Sequence, residues 1–149
     1  MAVSSQKEIV ITRLFDAPRE LVFEAWTQKE HLQHWWGGNE LTITFCEVEL
    51  KAGGSFHICM EEQGRKKFWV KGNYREIDAP SRLVFDCALE NEERNHNALW
   101  IVLFSEEGRN KTKVVITETL FDIADARDDA ATGLNQCLDK LSQYLAGIQ

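Results

Sequence analysis

The chain contains 149 residues and carries a net charge of −7, with 44% hydrophobic and 28% charged residues. This size and composition predict one soluble globular domain spanning residues 1–149. The negative charge excludes a nucleic-acid binder, because phosphate contacts require a basic surface. No apolar run approaches the roughly 20 residues of a membrane span, and no signal peptide is visible, so no membrane association is expected.

The positions of the cysteines indicate the redox state of the cellular compartment. Cys46, Cys59, Cys87 and Cys137 are scattered through the chain without a CxxC pair, which does not fit zinc-ribbon or thioredoxin sites. Each falls in an apolar pattern, where a free thiol behaves as a small hydrophobic side chain. A reducing, cytoplasmic location is therefore expected.

The chain is expected to begin with a strand that leads into a helix. Apolar and polar residues alternate over residues 7–15, which is typical of a strand. Asp16 is expected to cap the helix that follows, and Pro18 lies in its first turn, where a missing N–H costs nothing.

A second short helix is expected directly after the first. Thr27 is expected to cap this helix, with Glu30 three residues further on as in a capping box. The pair Gly37-Gly38 is expected to end it, because glycine adopts the left-handed conformation without steric cost.

From residue 41 to 120 the pattern predicts six more strands. They are joined by hairpins, so neighbouring strands should be antiparallel. The parity of the apolar residues changes between Phe45 and Cys46, which predicts a β-bulge. Turns are expected at residues 53–54, 63–65, 78–81, 90–97 and 106–110. The inner apolar rows are expected to contain Phe56, Ile58, Met60, Phe68, Val70, Tyr74, Leu83, Phe85, Leu99, Ile101 and Leu103.

A long helix is expected to close the chain. Apolar residues recur at helical spacing between Ala126 and Leu145, and Asp125 is expected to cap the helix. At 1.5 Å per residue this helix is about 30 Å long, enough to cross a sheet. The order of elements predicts an α+β fold in which a curved seven-stranded antiparallel sheet wraps around the long C-terminal helix, with two short helices after the first strand.

Four motifs follow one another over most of the chain: FDAPRELVFEAWTQKEHLQHWWGG, LKAGGSF, VKGNYREIDAPSRLVF, and Ala131-Thr132-Gly133 followed by LDKLSQYL. Together they resemble the START/Bet v 1-like (SRPBCC) superfamily, which has a helix-grip fold. Within it the chain is more similar to the AHSA1-like branch, named after the C-terminal domain of the activator of Hsp90 ATPase. Each motif alone is loose, but the ordered set is specific.

The resemblance implies a hydrophobic pocket between the long helix and the sheet. It implies no single activity, because relatives include lipid carriers, polyketide cyclases, hormone receptors and co-chaperone domains. The branch often has Gly-Trp where this chain has Gly133-Leu134, so a large ring is missing from the pocket side of the helix. Since glycine in a helix interior costs about 1 kcal/mol relative to alanine, a closely packed neighbour is expected at Gly133.

The candidate ligand-binding residues also have structural interpretations. One of Trp35 and Trp36 could pack in the core while the other shields the helix-to-sheet turn, or one could line the pocket mouth and stack on a ligand ring. The Tyr74 hydroxyl could bond a main-chain carbonyl instead of a ligand. Glu118 shares the parity of inward residues and would then be a buried carboxylate, unless a bulge or an edge position leaves it in solvent. The full candidate set is Trp35, Trp36, Phe56, Ile58, Phe68, Tyr74, Phe85, Ile101, Glu118, Leu134 and Leu138.

Catalytic and cofactor motifs are not recognisable. There is no nucleophile–base set, phosphate loop, dinucleotide fingerprint or telling carboxylate pair. His31 and His34 lie three residues apart, but no third ligand follows at a suitable spacing, so no metal is expected. No cofactor is expected either, and the sequence favours a binding protein over an enzyme.

Three functions remain open at this point. The first is binding of a hydrophobic or aromatic small molecule. The second is a cyclase- or hydrolase-type enzyme that uses an inward polar residue such as Glu118 or Tyr74. The third is a stress- or chaperone-related interaction module with an Hsp90-type partner, which a large exposed apolar patch would favour. The protein is expected to be a monomer or a weak homodimer.

Overall fold

A computed structural model describes residues 6–37, 41–62, 66–90, 95–121 and 127–149. It contains seven strands and three helices within these ranges. In chain order they are β1 (Gln6–Phe15), α1 (Arg19–Thr27), α2 (Lys29–Trp35), β2 (Leu41–Val48), β3 (Ser55–Glu62), β4 (Lys66–Asp78), β5 (Arg82–Glu90), β6 (Asn95–Glu106), β7 (Thr112–Phe121) and α3 (Arg127–Gly147).

The seven strands form one antiparallel sheet in the order β1-β7-β6-β5-β4-β3-β2. Apart from the β1–β7 pair, every neighbouring pair in the sheet is also consecutive in the chain. The helix α3 contacts α2 at one side and β1 at the other. The predicted α+β helix-grip fold is therefore confirmed. None of the described helices combines the length and apolarity needed to cross a membrane.

The change of parity in β2 comes from a β-bulge, as predicted, one residue upstream of the expected place. Ile43 pairs with Met60 and Phe45 pairs with Cys59, so Thr44 is the extra residue. Because of this residue Phe45 points to the outer face, where it is 39% exposed.

The predicted caps of the two short helices are wrong. The residue before α1 is Pro18, in extended conformation, and no side chain caps the helix, so Asp16 does not have this role. The residue before α2 is Gln28. Thr27 instead belongs to α1, where its hydroxyl donates to the Phe23 carbonyl at 2.9 Å. A threonine in the last turn of a helix can bond backward to a carbonyl, and this bond competes with capping the next helix.

The end of α2 agrees with the sequence. Gly37 has a φ of +92° directly after the helix, a conformation that other residues adopt only with strain. The Cys137 thiol on α3 donates to the Gly37 carbonyl at 3.0 Å, so this turn also anchors α3. Gly38, the turn at residues 63–65 and Asp125 lie outside the described residues.

Two further expectations about local structure are wrong. The predicted loop at residues 90–97 is shorter, because β5 extends to Glu90 and β6 begins at Asn95. A Cβ placed on Gly133 would meet nothing within 4 Å, so close packing against the described residues does not explain this glycine.

The inner face of β6 has the opposite parity to the predicted one. Trp100 pairs with Phe85 on one side and with Glu118 on the other, and these side chains are buried together with Val102 and Phe104. The expected inner row of Leu99, Ile101 and Leu103 therefore faces the opposite side of the sheet, where Leu103 is 41% exposed.

A buried hydrogen bond joins the segment between β1 and α1 to the last strand. The Thr112 hydroxyl at the start of β7 donates to the Ala17 carbonyl at 2.7 Å, and both residues are fully buried. Thr112→Val keeps the shape but leaves this carbonyl without its partner, so we expect a loss of about 1–3 kcal/mol in the free energy of unfolding. Urea denaturation measures this loss, with exposed Thr12→Val as the matched control. Equal effects of the two variants would contradict the prediction.

Candidate ligand-binding site

A small void lies between the two short helices and the middle of the sheet. Its volume is about 10 Å³, which is no more than the space of one water molecule. Helices α1 and α2 cover it, and strands β3, β4 and β5 form its floor. The residues that line it are Trp26, Leu32, Trp36, Phe56, Ile58, Tyr74 and Phe85.

Aromatic rings in mutual contact form most of this wall. The Phe56 ring centroid lies 5.4 Å from those of both Tyr74 and Phe85. Phe85 stacks on Trp100 at 5.4 Å, and Trp100 in turn lies 5.7 Å from Trp36. Edge and offset contacts of this kind are favourable beyond the area that they bury. The interior at this place is therefore a continuous aromatic cluster with little free volume.

Trp35 and Trp36 have different surroundings. Trp35 is fully buried, and its indole N–H donates to the Ala25 carbonyl at 2.9 Å. It packs edge-on against Trp26 at 4.9 Å and does not line the void. Trp36 is only partly buried and does line it. Of the two, Trp36 is the one placed to contact a ligand.

Two indole N–H groups in the aromatic cluster, those of Trp26 and Trp100, have no hydrogen-bond acceptor among the described residues. Trp26 is 2% exposed. Tyr74 is 3% exposed and also lines the void. Burial, and to a smaller extent the nearby Cys46 thiol, raises the pKa of Tyr74. The phenol is thus protonated near neutral pH and can donate or accept a hydrogen bond.

Glu118 on β7 is a buried carboxyl on the inner face of the sheet. It is 7% exposed and lies between Trp100 on β6 and Ile9 on β1, so the alternative of a solvated position is wrong. Burial raises its pKa to about 7. The Trp100 indole N–H offsets part of this rise, although it falls short of hydrogen-bond geometry with any described acceptor.

The charge of Glu118 also acts on two cysteine thiols, one of them on α3. Burial raises the pKa of the Cys137 thiol on α3 to about 11, and the Glu118 charge contributes to the rise. Burial also raises the pKa of Cys87 on β5, again with a contribution from Glu118. The carboxyl therefore lies within electrostatic reach of two thiols and one indole N–H, in a poorly solvated part of the interior.

The structure brings together five of the predicted site residues and separates the others. Trp36, Phe56, Ile58, Tyr74 and Phe85 line the void. Glu118, Leu134 and Leu138 are buried elsewhere in the interior. Phe68 is partly buried against the core, and Ile101 lies on the outer face.

Sequence reasoning did not assign Trp26 and Leu32 to the site. Both belong to the apolar stripes of the two short helices, and both line the void. Apolar spacing shows that such side chains are buried but not which part of the sheet they meet. The one available signal was the size of Trp26, since large aromatic side chains are common in ligand sites.

His31 and His34 belong to a contact between helices. The His31 Nδ1 atom lies 2.6 Å from the Tyr144 hydroxyl, and the His34 ring stacks on the Tyr144 ring at 4.9 Å. These contacts join α2 to α3. Within the described ranges, no group of three or more His, Cys, Asp or Glu residues could hold a metal ion.

A curved seven-stranded antiparallel sheet with a long C-terminal helix and two short helices defines the helix-grip class of the Bet v 1-like proteins. The chain belongs to one family within that class, the activator of Hsp90 ATPase homolog 1-like proteins, whose family model matches residues 16–146. Membership in this family supports a ligand-binding fold.

Solved structures show the same fold. An uncharacterised protein from Rhizobium leguminosarum is 23% identical, with 97% of each chain covered and a TM-score of 0.84. The AHSA1 protein from Silicibacter pomeroyi is 16% identical, covering 96% of this chain and 100% of its own, with a TM-score of 0.82. A protein from Staphylococcus epidermidis is 24% identical, with coverages of 95% and 91% and a TM-score of 0.77. A search of curated proteins found no match.

Proposed function

We propose that this protein binds a small aromatic or apolar molecule on the inner face of the sheet, beneath α1 and α2. The observation that carries the proposal is the void walled by seven large side chains, most of them aromatic, in which the Trp26 N–H has no acceptor. Ligand sites are typically apolar, with a few polar groups that fix orientation. A void of about 10 Å³ must widen to admit such a molecule, so side chains of the wall have to move.

The family and the cysteines agree with this proposal. Membership in the family supports a ligand-binding fold, and the four cysteines are all free. Free thiols support a reducing compartment such as the cytoplasm.

A screen of small aromatic compounds tests the proposal. A compound present at 100 times its dissociation constant is expected to stabilise the fold by about 2.7 kcal/mol, which appears as a rise of about 5–10 °C in the melting temperature. The same compound should shift the indole N–H resonances of Trp26 and Trp36 in NMR spectra, while Trp69, outside the void, serves as the internal control. If no compound moves either the melting temperature or these resonances, the proposal fails.

A second candidate function is acid–base catalysis by Glu118. The observation in its favour is a buried carboxyl with a pKa of about 7, because general acids and bases work best with pKa values near the operating pH. An activated ester such as 4-nitrophenyl acetate provides a probe. This function would be supported by an ester hydrolysis rate that increases with pH, with an apparent pKa near 7, and that disappears in Glu118→Gln. A rate that Glu118→Gln leaves unchanged would exclude it for this probe.

A further inference from the structure

Phe56 lines both the void and a groove on the surface. The groove has a volume of about 400 Å³ and lies beside the start of α2 and the turn between β2 and β3. Phe56 itself is 5% exposed and is the residue that the two spaces have in common. Apart from Phe56, the groove is lined by Lys29, Glu47, Val48, Glu49, Ser55 and His57.

Among the described residues, the Phe56 ring packs against Gly72, Tyr74 and Phe85, and these contacts are apolar. It lies over Gly72 of β4, where a Cβ would overlap its Cζ and Cε1 atoms. A ring held by dispersion contacts can change rotamer without leaving a polar atom unpaired. Such a movement would free the volume of one six-membered ring beside the void. Cavities of about 150 Å³ in protein interiors bind molecules of the size of benzene.

Trp26 indicates what kind of molecule would occupy that volume. Its N–H is buried without an acceptor, whereas the neighbouring Trp35 donates to the Ala25 carbonyl. A buried donor without a partner is costly, and the cost is removed when an acceptor arrives. A molecule that only fills space would leave the Trp26 N–H unpaired.

We propose that the void, Phe56 and the groove form one interrupted binding site for a molecule that carries an aromatic ring and a carbonyl oxygen next to it. The molecule enters from the groove, its ring takes the place of the Phe56 ring, and its oxygen accepts the Trp26 N–H. This inference rests on the proposed function, since it specifies the ligand and the route for the same site.

The test uses two ligands and two variants. Acetophenone and ethylbenzene have nearly the same size and shape, but only acetophenone carries an acceptor oxygen. Their dissociation constants are measured by NMR titration with the wild-type protein, Phe56→Ala and Trp26→Phe. Phe45→Ala is the control for Phe56→Ala, because Phe45 is a phenylalanine exposed on the outer face. Phe56→Leu provides a milder change should the alanine variant not fold.

Two results are expected. Phe56→Ala binds both ligands about ten times more tightly than the wild type, because no ring has to be displaced, and Phe56→Leu shows part of this gain. Trp26→Phe reduces the preference for acetophenone over ethylbenzene by about fivefold, the usual value of one hydrogen bond. Phe45→Ala changes neither quantity.

The outcomes separate the two levels of the proposal. Absence of binding of either ligand to the wild type and to the Phe56 variants would overturn the proposed function itself. Binding that is equally tight in the wild type and in both Phe56 variants would overturn the role of Phe56. An unchanged ligand preference in Trp26→Phe would overturn the anchoring role of Trp26, with the proposed function left intact.

Discussion

Replacing Glu118 with glutamine should raise the free energy of unfolding by about 3 kcal/mol at pH 9 and leave it almost unchanged at pH 4. The reason is the buried position of this carboxyl, which raises its pKa from 4.5 to about 7. Between these two values the folded state holds a proton that the unfolded state has lost. Stability therefore decreases as the pH rises through this window and reaches its lower level above pH 7. Glutamine carries no charge at any of these pH values and avoids the penalty.

Urea denaturation at a series of pH values between 4 and 9 provides the measurement. The difference between the variant and the wild type isolates Glu118, because all other ionisable groups are common to both proteins. The exposed residue Glu47 offers the control, since Glu47→Gln removes a carboxylate from the surface and not from the interior. A constant difference between Glu118→Gln and the wild type across the whole range would contradict the burial of an ionisable carboxyl.

The loss of stability caused by the buried Glu118 carboxylate is also relevant to function. A carboxyl that destabilises the fold at neutral pH could be replaced by a neutral side chain with a gain in stability. Strongly perturbed ionisable groups in protein interiors occur preferentially at functional sites. Glu118→Gln therefore serves two purposes, since it tests the energetic cost of the residue and, with the ester probe, its part in chemistry.

The fold could be predicted because each hairpin and each helix has a local sequence pattern, either alternating apolar residues between turns or apolar residues at helical spacing. The β-bulge in β2 was visible as a change of parity, and Gly37 marked the end of α2. The helix caps were not predictable in the same way. Thr27 has the chemistry of a cap, but its hydroxyl bonds backward to Phe23, and the sequence does not decide between these two partners.

The wrong prediction of the inner face of β6 has a specific cause. Both faces of this part of the sheet are apolar, as Val10 on β1 shows by being 58% exposed on the outer face. Alternation alone therefore cannot identify the inner face. The hairpin between β6 and β7 pairs Phe104 with Val114 and Val102 with Ile116. Val114 and Ile116 are fully buried on the inner face, so the register of this hairpin places Phe104 and Val102 on the inner face as well.

The candidate site was predicted only in part, because its character depends on contacts between distant segments. The sequence indicated that Phe56, Tyr74 and Phe85 share a face. It did not show that Trp35 finds an acceptor while Trp26 does not. Which indole N–H is satisfied depends on the distance between α1 and α2, and no local pattern encodes that distance.

Gly72→Ala should destabilise the protein by about 3 kcal/mol or more, the upper range for overpacking a dense interior. Gly72 lies on the inner face of β4, between Phe56 on β3 and Cys87 on β5. A Cβ at this position would overlap the Phe56 ring and the backbone oxygen of Asp86. The ring can rotate away, but the oxygen can move only with its strand. The clash is therefore partly in the backbone, and relaxation of side chains cannot remove all of it.

Two comparisons make this prediction specific. In a Phe56→Leu background, Gly72→Ala should cost less than in the wild type, because the ring clash is gone and only the backbone clash remains; a double-mutant cycle by urea denaturation measures the difference. Gly133→Ala is the matched control, since nothing lies within 4 Å of its Cβ and alanine is favoured over glycine inside a helix by about 1 kcal/mol. The same substitution should thus destabilise the sheet and stabilise α3. If Gly72→Ala were as harmless as Gly133→Ala, the Phe56 ring would not lie against β4, and its role as the wall between void and groove would be lost with it.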